Sequence, residues 1–330
     1  MDTYSLLTQA LGEGRVKKQE ALARYTTFKI GGPAEFFFVA QSVAELTKAF
    51  LAAKEAKIKF WLLGGGTNTL ISDAGLPGLV VKNETREIKI IRQLGQVKNG
   101  KSVVNQALVE VETGALINQV VRFTCDEGLG GLEMHLGLPG TVGGALFMNS
   151  KWTHPAAYVG DVLYQAKILT PDGTIKLVNR DYFNFGYDQS ILQKTREAVV
   201  AAIFLLNKED PERLWARAHE SMAYRKQTQP MGIQTAGCTF RNIAPAQALR
   251  IGTPNHITSA GYLIDTTGLK GASHGNARFS ERHANFIINQ GGARASDVKW
   301  LIDEAKARVQ EKFGVAIEPE IVLLGEFNKS

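Results

Sequence analysis

Apolar and polar residues recur with different periods along the first part of the chain, and each period predicts a different element. The apolar run Phe36–Ala40 predicts a strand, and apolar residues then recur at helical spacing from Val43 to about Lys57. Ser42 and Glu45 form the pattern of a capping box at the start of that helix. Apolar runs over residues 60–63 and 79–82 predict two further strands, so we expect a strand–helix–strand unit here.

The pattern that follows predicts a hairpin, a helix and two more strands before it changes near residue 207. The hairpin pairs residues 87–94 with 102–112 around a turn at 98–101, the helix covers 115–127, and the strands cover 162–169 and 197–205. Asp210 followed by Pro211 predicts a new helix, because proline suits the first helical position. We place a domain boundary before it, which gives an N-terminal helical segment (1–24), a larger domain (25–207) and a smaller one (208–330).

The C-terminal region is predicted to contain a long helix and a final strand. Ser296 can cap the helix, and Gly314 can end it. Its buried face is predicted to comprise Val298, Leu301, Ile302, Ala305 and Val309. The strand is predicted over Ile317–Leu324, where Glu320 has apolar neighbours. A carboxyl group in apolar surroundings has a raised pKa and can act as a general acid, although a glutamate at the solvated end of a strand is the alternative.

A glycine-rich loop follows the predicted strand at 60–63 and is the strongest candidate for a ligand site. Gly64, Gly65 and Gly66 remove every Cβ, so the backbone can turn sharply and present several N–H groups to an anion. Thr67 and Asn68 add short side-chain donors. We interpret the loop as a cradle for a phosphate or pyrophosphate, and a plain turn between two strands is the alternative.

A second glycine cluster lies at residues 137–149 in the same predicted domain. Pro139 stiffens it, and the pair Gly143-Gly144 permits close approach of the backbone to something flat. Either loop alone is more often a turn than a phosphate site. Together the two loops could hold the two ends of a ligand the size of a dinucleotide.

Composition and charge limit the kinds of partner and the cellular compartment that we expect for this protein. The net charge is +6 without a long basic run, which gives little support for nucleic-acid binding but suits a small anionic substrate such as a nucleotide. No window approaches the ~20 apolar residues of a membrane span, and the N-terminus lacks a secretory signal, so we expect a cytoplasmic protein. The two cysteines and six histidines show no metal-binding spacing, and we expect no metal site.

Two further side chains are open to two interpretations. Cys238 follows Gly237 and precedes Thr239, where it could be a small buried hydrophobic residue or part of a site loop. Arg225 could be a solvated residue at the end of a helix. It could equally bind a phosphate or carboxylate through two hydrogen bonds.

Seven motifs occur in one order along the chain, and this order resembles a known family. They are Tyr25–Ala34, Gly64–Asp73, Gly131–Glu133, Gly137–Asn149, Ala236–Asn242, Ser280–Phe286 and Glu318–Glu320. Together they resemble the UDP-N-acetylenolpyruvoylglucosamine reductases, also called UDP-N-acetylmuramate dehydrogenases or the MurB family. The resemblance covers nearly the whole chain from about residue 22.

The resemblance implies an α+β fold, with an FAD-binding domain of the vanillyl-alcohol-oxidase (PCMH) type followed by a smaller α+β substrate-binding domain. It implies that NADPH reduces a bound FAD. No histidine or cysteine lies in an obvious attachment context, so we expect the FAD to be bound non-covalently. The reduced flavin then passes hydride to the enolpyruvyl group of UDP-N-acetylglucosamine enolpyruvate, which gives UDP-N-acetylmuramate for peptidoglycan. We expect a monomer that binds neither nucleic acid nor membrane.

The resemblance also assigns roles to individual residues. Glu320 corresponds to the carboxylate at the enol intermediate, and Cys238 occupies the position of the serine that protonates the substrate carbon. The substrate contacts are Tyr187, Arg225 and Asn242. The implied FAD contacts are Gly64, Gly65, Gly66, Thr67, Asn68, Thr69, Gly131, Glu133, Gly137, Pro139, Gly140, Gly143 and Gly144.

Three departures from the family pattern bear on activity. Cys238 in place of serine is chemically reasonable, because a thiol with a pKa of about 8.5 is a stronger acid than a hydroxyl. Asp188 stands where the family has an arginine that stabilises the enolate, and an aspartate cannot stabilise negative charge. Either another cation such as Arg225 or Arg278 replaces it, or the local alignment is misleading, or activity is reduced. The segment Asn149–Pro155 also replaces the usual sequence beside the flavin.

The departure at Asp188 keeps two other functions open. One is a different flavin oxidoreductase on the same scaffold, and the other is a catalytically weakened protein that binds FAD or a UDP-sugar.

Overall fold

The computed structural model describes residues 2–98, 101–153 and 155–327, and for 96–98 and 101–103 it describes the backbone alone. The chain forms two compact units. Unit 1 comprises Met1–Lys17, Phe37–Gly65 and Gly78–Gln227, and unit 2 comprises Lys18–Phe36, Gly66–Pro77 and Thr228–Ser330. One passage of the chain from unit 1 to unit 2 falls inside the first glycine loop, between Gly65 and Gly66.

The described helices and strands are as follows. The helices are α1 Thr3–Leu11, α2 Val43–Glu55, α3 Ile117–Asp126, α4 Val142–Met148, α5 Leu192–Thr195, α6 Pro211–Thr228, α7 Pro245–Arg250, α8 Ala260–Thr266 and α9 Ala295–Phe313. The strands are β1 Lys17–Ala21, β2 Pro33–Ala40, β3 Phe60–Leu63, β4 Thr69–Ile71, β5 Leu76–Asn83, β6 Ile88–Lys98, β7 Lys101–Glu112, β8 Leu129–Gly130, β9 Lys151–Thr153, β10 Ala156–Tyr158, β11 Leu163–Leu169, β12 Ile175–Asn179, β13 Ala198–Lys208, β14 Ser273–His274, β15 Ala277–Phe279, β16 Ile287–Asn289 and β17 Val322–Leu324.

The core of unit 1 lies on one face of an antiparallel sheet with the strand order β12-β11-β13-β7-β6. Side chains on β7 alternate between the faces of this sheet. Val109 and Val111 are buried, and the intervening Glu110 pairs with Lys167 at 2.7 Å. Apolar residues of α3, α4 and α6 complete the core. The predicted hairpin is confirmed as β6 and β7, and residues 99 and 100 of its turn lie outside the described residues.

Unit 1 also contains strand β3, which leads into the first glycine loop, and the larger part of its neighbour β5. Strands β2, β5 and β3 are neighbours in that order, and β3 runs parallel to β5. The Ser42 side chain accepts the Glu45 N–H at 3.2 Å, so the predicted start of α2 is confirmed. Strand β3 covers Phe60–Leu63 as predicted. The glycine loop therefore begins at the carboxyl end of a parallel strand, where ligands of α/β sheets commonly bind.

Unit 2 packs α8 and α9 around a second core with the small antiparallel sheet β14-β15-β16. Strand β17 pairs in parallel with β4 of the same unit. The predicted buried face of α9 is confirmed, since its five residues are at most 1% exposed. Gly314 ends α9 in a left-handed conformation, with φ of +63°, also as predicted.

The predicted cap of α9 is wrong. The helix begins at Ala295, and the Asp73 carboxylate accepts the N–H groups of Ala295 at 2.7 Å and Ser296 at 3.0 Å. Burial raises the pKa of Asp73, but the hydrogen bonds from Ser296 and Ala295 outweigh it, so the pKa of this carboxyl is lowered. The last residue of the first glycine motif therefore caps the longest helix of unit 2.

The predicted final strand is wrong over its first half, because β17 covers only Val322–Leu324. Pro319 makes a single bridge to Phe240, and proline has no N–H to continue a ladder. The predicted domain ranges stay a prediction; the compact units place α6, up to Gln227, with the residues before it. In the part of the chain that the structure describes, no helix combines the length and apolar composition needed to cross a membrane.

Candidate active site

Gly64, the first residue of the first glycine loop, is bound by a side chain of β5 in unit 1. Its carbonyl oxygen accepts a hydrogen bond from Lys82 Nζ on β5, and burial lowers the pKa of Lys82. The carbonyl and the next N–H point in opposite directions across a trans peptide, so the N–H of Gly65 is directed away from Lys82. A Cβ on Gly64 would lie 2.5 Å from Thr141 Oγ1, so the two glycine loops touch directly.

The same loop continues in unit 2 from Gly66. Its φ is +62°, and a Cβ there would lie 2.1 Å from the Tyr25 carbonyl oxygen, so only glycine fits. The Gly66 carbonyl accepts the Thr27 N–H at 3.0 Å, which directs the N–H of Thr67 the opposite way. The carbonyl oxygens of Gly64 and Gly66 are thus both bound within the protein.

The start of α4 uses its glycines differently. The Gly143 N–H donates to the Thr113 carbonyl at 2.9 Å, and the Gly144 N–H donates to Thr141 Oγ1 at 3.4 Å. These N–H groups are therefore already bound within the protein. Gly144 is exposed, and a Cβ there would meet only Thr141 Oγ1, at 3.7 Å. Its contribution is the absence of a side chain at an exposed position.

Gly137 and Gly140 determine the path of the second loop. Both have positive φ, +84° and +112°. A Cβ on Gly137 would lie 2.5 Å from Met222 Sδ on α6, and its N–H donates to Asn118 Oδ1 at 2.7 Å. Pro139 is exposed between them. The loop therefore lies against α3 and α6 of unit 1.

Glu133 is buried, and both of its carboxylate oxygens are engaged by the protein. One oxygen accepts the Gly131 N–H at 2.6 Å, and the other binds Arg217 of α6 at 2.8 Å. Gly131 has φ of +131°. Burial, followed by the charge of Glu133, raises the pKa of the nearby Cys125 thiol to about 12. Glu133 thus links the main chain at Gly131, which precedes the second glycine loop, to Arg217 of helix α6.

Asp188 lies in a tight turn closed by mutual hydrogen bonds between Gly186 and Gln189, at 3.0 and 3.3 Å. Its φ is +50°, a conformation that aspartate tolerates better than most residues. Lys151 Nζ on β9 lies 2.5 Å from both carboxylate oxygens, and the two side chains are 16% and 4% exposed. The same Nζ lies 3.9 Å from the centre of the Tyr187 ring.

Arg225 is buried near the end of α6, against the residue that follows Lys151. Its guanidinium lies 4.8 Å from the centre of the Trp152 ring, an arrangement typical of a cation–π contact. The Trp152 ring meets Tyr224 edge-on, with the ring centres 5.6 Å apart. Two consecutive residues of β9 thus contact two predicted substrate residues. Lys151 contacts Tyr187, and Trp152 contacts Arg225.

His135 is fully buried in the same unit, and neither ring nitrogen has a hydrogen-bond partner among the described residues. Burial, followed by the positive charge of Arg225, lowers its pKa to about 3. The ring is therefore neutral at physiological pH, and its neutrality avoids placing two positive charges together in the core of unit 1.

The buried ring of His135 predicts a pH-dependent stability. Between pH 6.5 and about 3 the unfolded chain binds a proton that the folded chain does not, so stability falls as the pH falls. Wild type should therefore lose about 2 kcal/mol of unfolding free energy relative to His135→Leu between pH 6.5 and about 5. Urea titrations at each pH measure this difference. His219→Leu, at an exposed position of α6, is the matched control, and parallel profiles for wild type and His135→Leu would contradict the assignment.

In unit 2, Cys238 and Glu320 lie on segments joined through the main chain. The Glu320 N–H donates to the carbonyl of Thr239, the neighbour of Cys238, at 2.8 Å. The Asn68 side chain of the glycine loop donates through Nδ2 to the Glu320 carbonyl at 3.1 Å, and the Asn68 main-chain carbonyl accepts the Val322 N–H at 2.9 Å. Cys238 and Glu320 are each partly exposed. The structure thus brings together the main-chain segments that carry Cys238, Glu320 and Asn68.

Two asparagines support these segments. Asn285 is buried and binds both main-chain groups of Phe240, accepting its N–H at 2.9 Å and donating to its carbonyl at 2.8 Å. Asn242 accepts the Ala260 N–H at 3.1 Å, at the first turn of α8. The side chain of Asn242, a predicted substrate contact, therefore also holds α8.

Comparison with known proteins matches both parts of the chain. Residues 34–179 match an FAD binding domain, and residues 229–324 match the C-terminal domain of UDP-N-acetylenolpyruvoylglucosamine reductase. A reductase of that name from Halalkalibacterium halodurans is 36% identical over 319 residues, which cover 96% of this chain and 97% of the relative. The chain belongs to the UDP-N-acetylenolpyruvoylglucosamine reductase family. Reductase 1 of Bacillus cereus is 37% identical over 313 residues, covering 94% and 95% of the two chains.

Solved structures agree with this membership. The reductase from Thermus caldophilus superposes with a TM-score of 0.72 at 31% identity, covering 94% of this chain and 99% of that one. A vanillyl-alcohol-oxidase-type flavoprotein from Myceliophthora thermophila superposes with a TM-score of 0.50 at 9% identity, covering 84% and 70%. The second likeness concerns the fold alone. The predicted α+β class, with an FAD-binding domain and a smaller second domain, is confirmed.

Some residues that hold these segments in place were absent from the sequence candidates. Lys151 is one, although it lies in the segment 149–155 that departs from the reductase-family pattern. Asn285 is another, and its only signal was its place in the motif Ser280–Phe286. His135 carried no signal, because burial of a single histidine cannot be deduced from its neighbours in sequence.

Proposed function

We propose that this chain catalyses the NADPH-dependent reduction of UDP-N-acetylglucosamine enolpyruvate to UDP-N-acetylmuramate, with FAD as cofactor, for peptidoglycan synthesis. The observation that carries the proposal is the extent of the match to the Halalkalibacterium halodurans reductase, over 96% of this chain and 97% of the relative. Both the FAD-binding part and the C-terminal part of a reductase are thus represented in the chain.

The residues around the glycine loops fit FAD. We assign its contacts to Gly64, Gly65, Gly66, Thr67, Asn68, Thr69, Gly131, Glu133, Gly137, Pro139, Gly140, Gly143 and Gly144. Lys82 and Thr27 hold the carbonyl oxygens of Gly64 and Gly66, and a glycine-rich main chain held in this way suits a pyrophosphate. When bound, FAD supplies hydride transfer from NADPH to the substrate carbon. We propose that it is held without a covalent bond.

Gly144→Ala is expected to raise the stability of the protein but to lower its affinity for FAD. In Gly144→Ala the new Cβ meets only Thr141 within the protein, at 3.7 Å, and alanine is the better helix former. The flavin-free protein should become more stable by about 0.5 to 1 kcal/mol, while FAD affinity should fall about tenfold or more because the methyl group occupies the surface of the cofactor. Thermal unfolding and FAD titration measure the two quantities. Unchanged FAD affinity would remove Gly144 from the cofactor site.

We assign the chemistry at the substrate to Cys238 and Glu320. Addition of hydride to the methylene carbon of the enolpyruvyl group leaves negative charge on the adjoining carboxylate, and the neighbouring carbon must then receive a proton. The Cys238 thiol holds that proton and regains one from water after each turnover. The Glu320 carboxyl group assists at the enol intermediate. Hydride and proton together complete the two-electron reduction of the double bond.

We assign binding of the substrate to Tyr187, Arg225 and Asn242. Arg225 carries a charge that a phosphate or carboxylate can bind, and its place against Trp152 fixes its orientation. Tyr187 is 42% exposed, and its ring lies beside the Lys151 ammonium group. We further propose a monomeric enzyme of the cytoplasm, where UDP-sugars are available.

The direct test is NADPH oxidation under anaerobic conditions, with and without UDP-N-acetylglucosamine enolpyruvate. We expect a flavin spectrum, NADPH consumption that depends on the sugar nucleotide, and a product heavier by two hydrogen atoms. Absence of flavin after addition of FAD would overturn the proposal. Reoxidation of the reduced flavin by oxygen alone, with no effect of the sugar nucleotide, would identify an oxidase on the same scaffold instead.

A further inference from the structure

Two departures from the family pattern, 37 residues apart in sequence, meet in one ion pair. One is Asp188, where the resemblance to the family implies an arginine. The other is the segment 149–155, which places Lys151 on β9. Lys151 Nζ lies 2.5 Å from both oxygens of Asp188. The loss of a positive charge at position 188 is thus accompanied by a positive charge at position 151.

The surroundings of Lys151 place this charge among predicted substrate residues. Its Nζ lies 3.9 Å from the centre of the Tyr187 ring. The next residue, Trp152, packs against the guanidinium of Arg225. The Lys151 side chain keeps 16% of its surface exposed, whereas the Asp188 side chain keeps 4%. The lysine is therefore the member of the pair that remains more accessible to a ligand.

We propose that Lys151 supplies the cation that acts on the enolpyruvyl carboxylate in this protein, and that Asp188 is a positioning residue which orients it. This inference rests on the proposed function. When hydride adds to the methylene carbon, negative charge develops on the carboxylate oxygens, and a fixed ammonium group stabilises it. Lys151 forms and breaks no covalent bond.

The turn at residues 186–189 explains how Asp188 orients the lysine. The Gln193 side chain donates to the Asp188 carbonyl at 2.9 Å, and the Asn149 side chain donates to the Gly186 carbonyl at 2.9 Å. The carboxylate therefore sits on a main chain that is held at both ends. A lysine side chain has four flexible torsions, and a fixed carboxylate restricts where its ammonium group can lie.

The test separates the two half-reactions in a stopped-flow instrument. For Lys151→Met, we expect flavin reduction by NADPH within about twofold of wild type. Reoxidation of the reduced flavin by UDP-N-acetylglucosamine enolpyruvate should slow about a hundredfold, as for loss of one group that stabilises developing charge. Lys167→Met, which removes a lysine from the ion pair with Glu110, is the matched control and should leave both rates unchanged.

Two double variants separate catalysis from structure. Lys151→Met with Asp188→Asn removes both charges of the buried ion pair, and asparagine tolerates the positive φ of position 188. A purely structural pair predicts that this variant recovers the reoxidation rate, and that result would overturn the proposal. Lys151→Gly with Asp188→Arg returns the cation to position 188. We expect it to reoxidise at least about tenfold faster than Lys151→Met, because a cation is again present.

Failure of the inference differs from failure of the proposed function. If wild-type reduced flavin is not reoxidised by the sugar nucleotide, the proposed function fails. If wild type is reoxidised and Lys151→Met matches its rate, only the role of Lys151 fails. Should Lys151→Met not fold, Lys151→Gln with Asp188→Asn keeps the pair neutral and similar in size. A wild-type rate for that variant would likewise overturn the proposal.

Discussion

Glu320→Gln is expected to lower turnover about a thousandfold while FAD stays bound. Glutamine has nearly the same shape as glutamate but cannot exchange a proton. The hydrogen bonds that anchor residue 320 to Thr239 and Asn68 use its main chain, so the substitution leaves them in place. Flavin reduction by NADPH should remain near the wild-type rate, and the loss should appear in reoxidation by UDP-N-acetylglucosamine enolpyruvate. Stopped-flow absorbance of the flavin measures both rates.

Glu318→Gln is the matched control for this experiment. Glu318 lies two positions away, is exposed, and approaches only Lys306, at 3.9 Å, among the ion pairs of the described residues. We expect it to leave both half-reactions unchanged. Near-normal turnover of Glu320→Gln would remove Glu320 from the mechanism, and equal losses in the two variants would indicate a general effect of charge.

Cys238→Ala is expected to slow the reoxidation half-reaction by about a hundredfold or more, because no proton donor remains at that position. Cys238→Ser restores a hydroxyl donor and should remain within about tenfold of wild type. Flavin binding should be unaffected in both variants. The decisive measurement is the reoxidation rate of the alanine variant beside that of the serine variant.

Alkylation provides an independent control for the same thiol. Cys125 is buried, and its pKa of about 12 keeps it protonated, so iodoacetamide should not react with it. Cys238 is partly exposed and should be the thiol that reacts, with loss of turnover in proportion to labelling. A Cys238→Ala variant with wild-type reoxidation would assign the proton to another group. Rapid labelling of Cys125 would contradict its burial.

Elements that depend on local pattern could be predicted from the sequence. Strand β3 has the predicted bounds, and helix α2 begins at the predicted cap, because both depend on neighbouring residues. The buried face of α9 follows from helical spacing alone. The strand predicted over Ile317–Leu324 failed where Pro319 interrupts hydrogen bonding, a local signal that the apolar run obscured.

Features that depend on tertiary contacts could not be predicted. The cap of α9 comes from Asp73, which lies 223 residues before Ser296, so Ser296 was given a role that it does not have. The partner of Asp188 is 37 residues away, and the predicted substitutes for the missing arginine were Arg225 and Arg278 rather than Lys151. The resemblance to the reductase family identified position 188 as unusual. Its partner required the turn at 186–189 and strand β9 to be placed together.

The motif Gly64–Asp73 also bears on how mutational surveys of this chain should be interpreted. Its residues serve separate purposes: Gly64 contacts Thr141, Asn68 binds the main chain of Glu320, and Asp73 caps α9. A survey scored by growth would find all three positions intolerant. That intolerance would not identify the residues that contact the cofactor, because two of the positions form hydrogen bonds within the protein itself. Flavin content measured beside growth would sort the positions by cause.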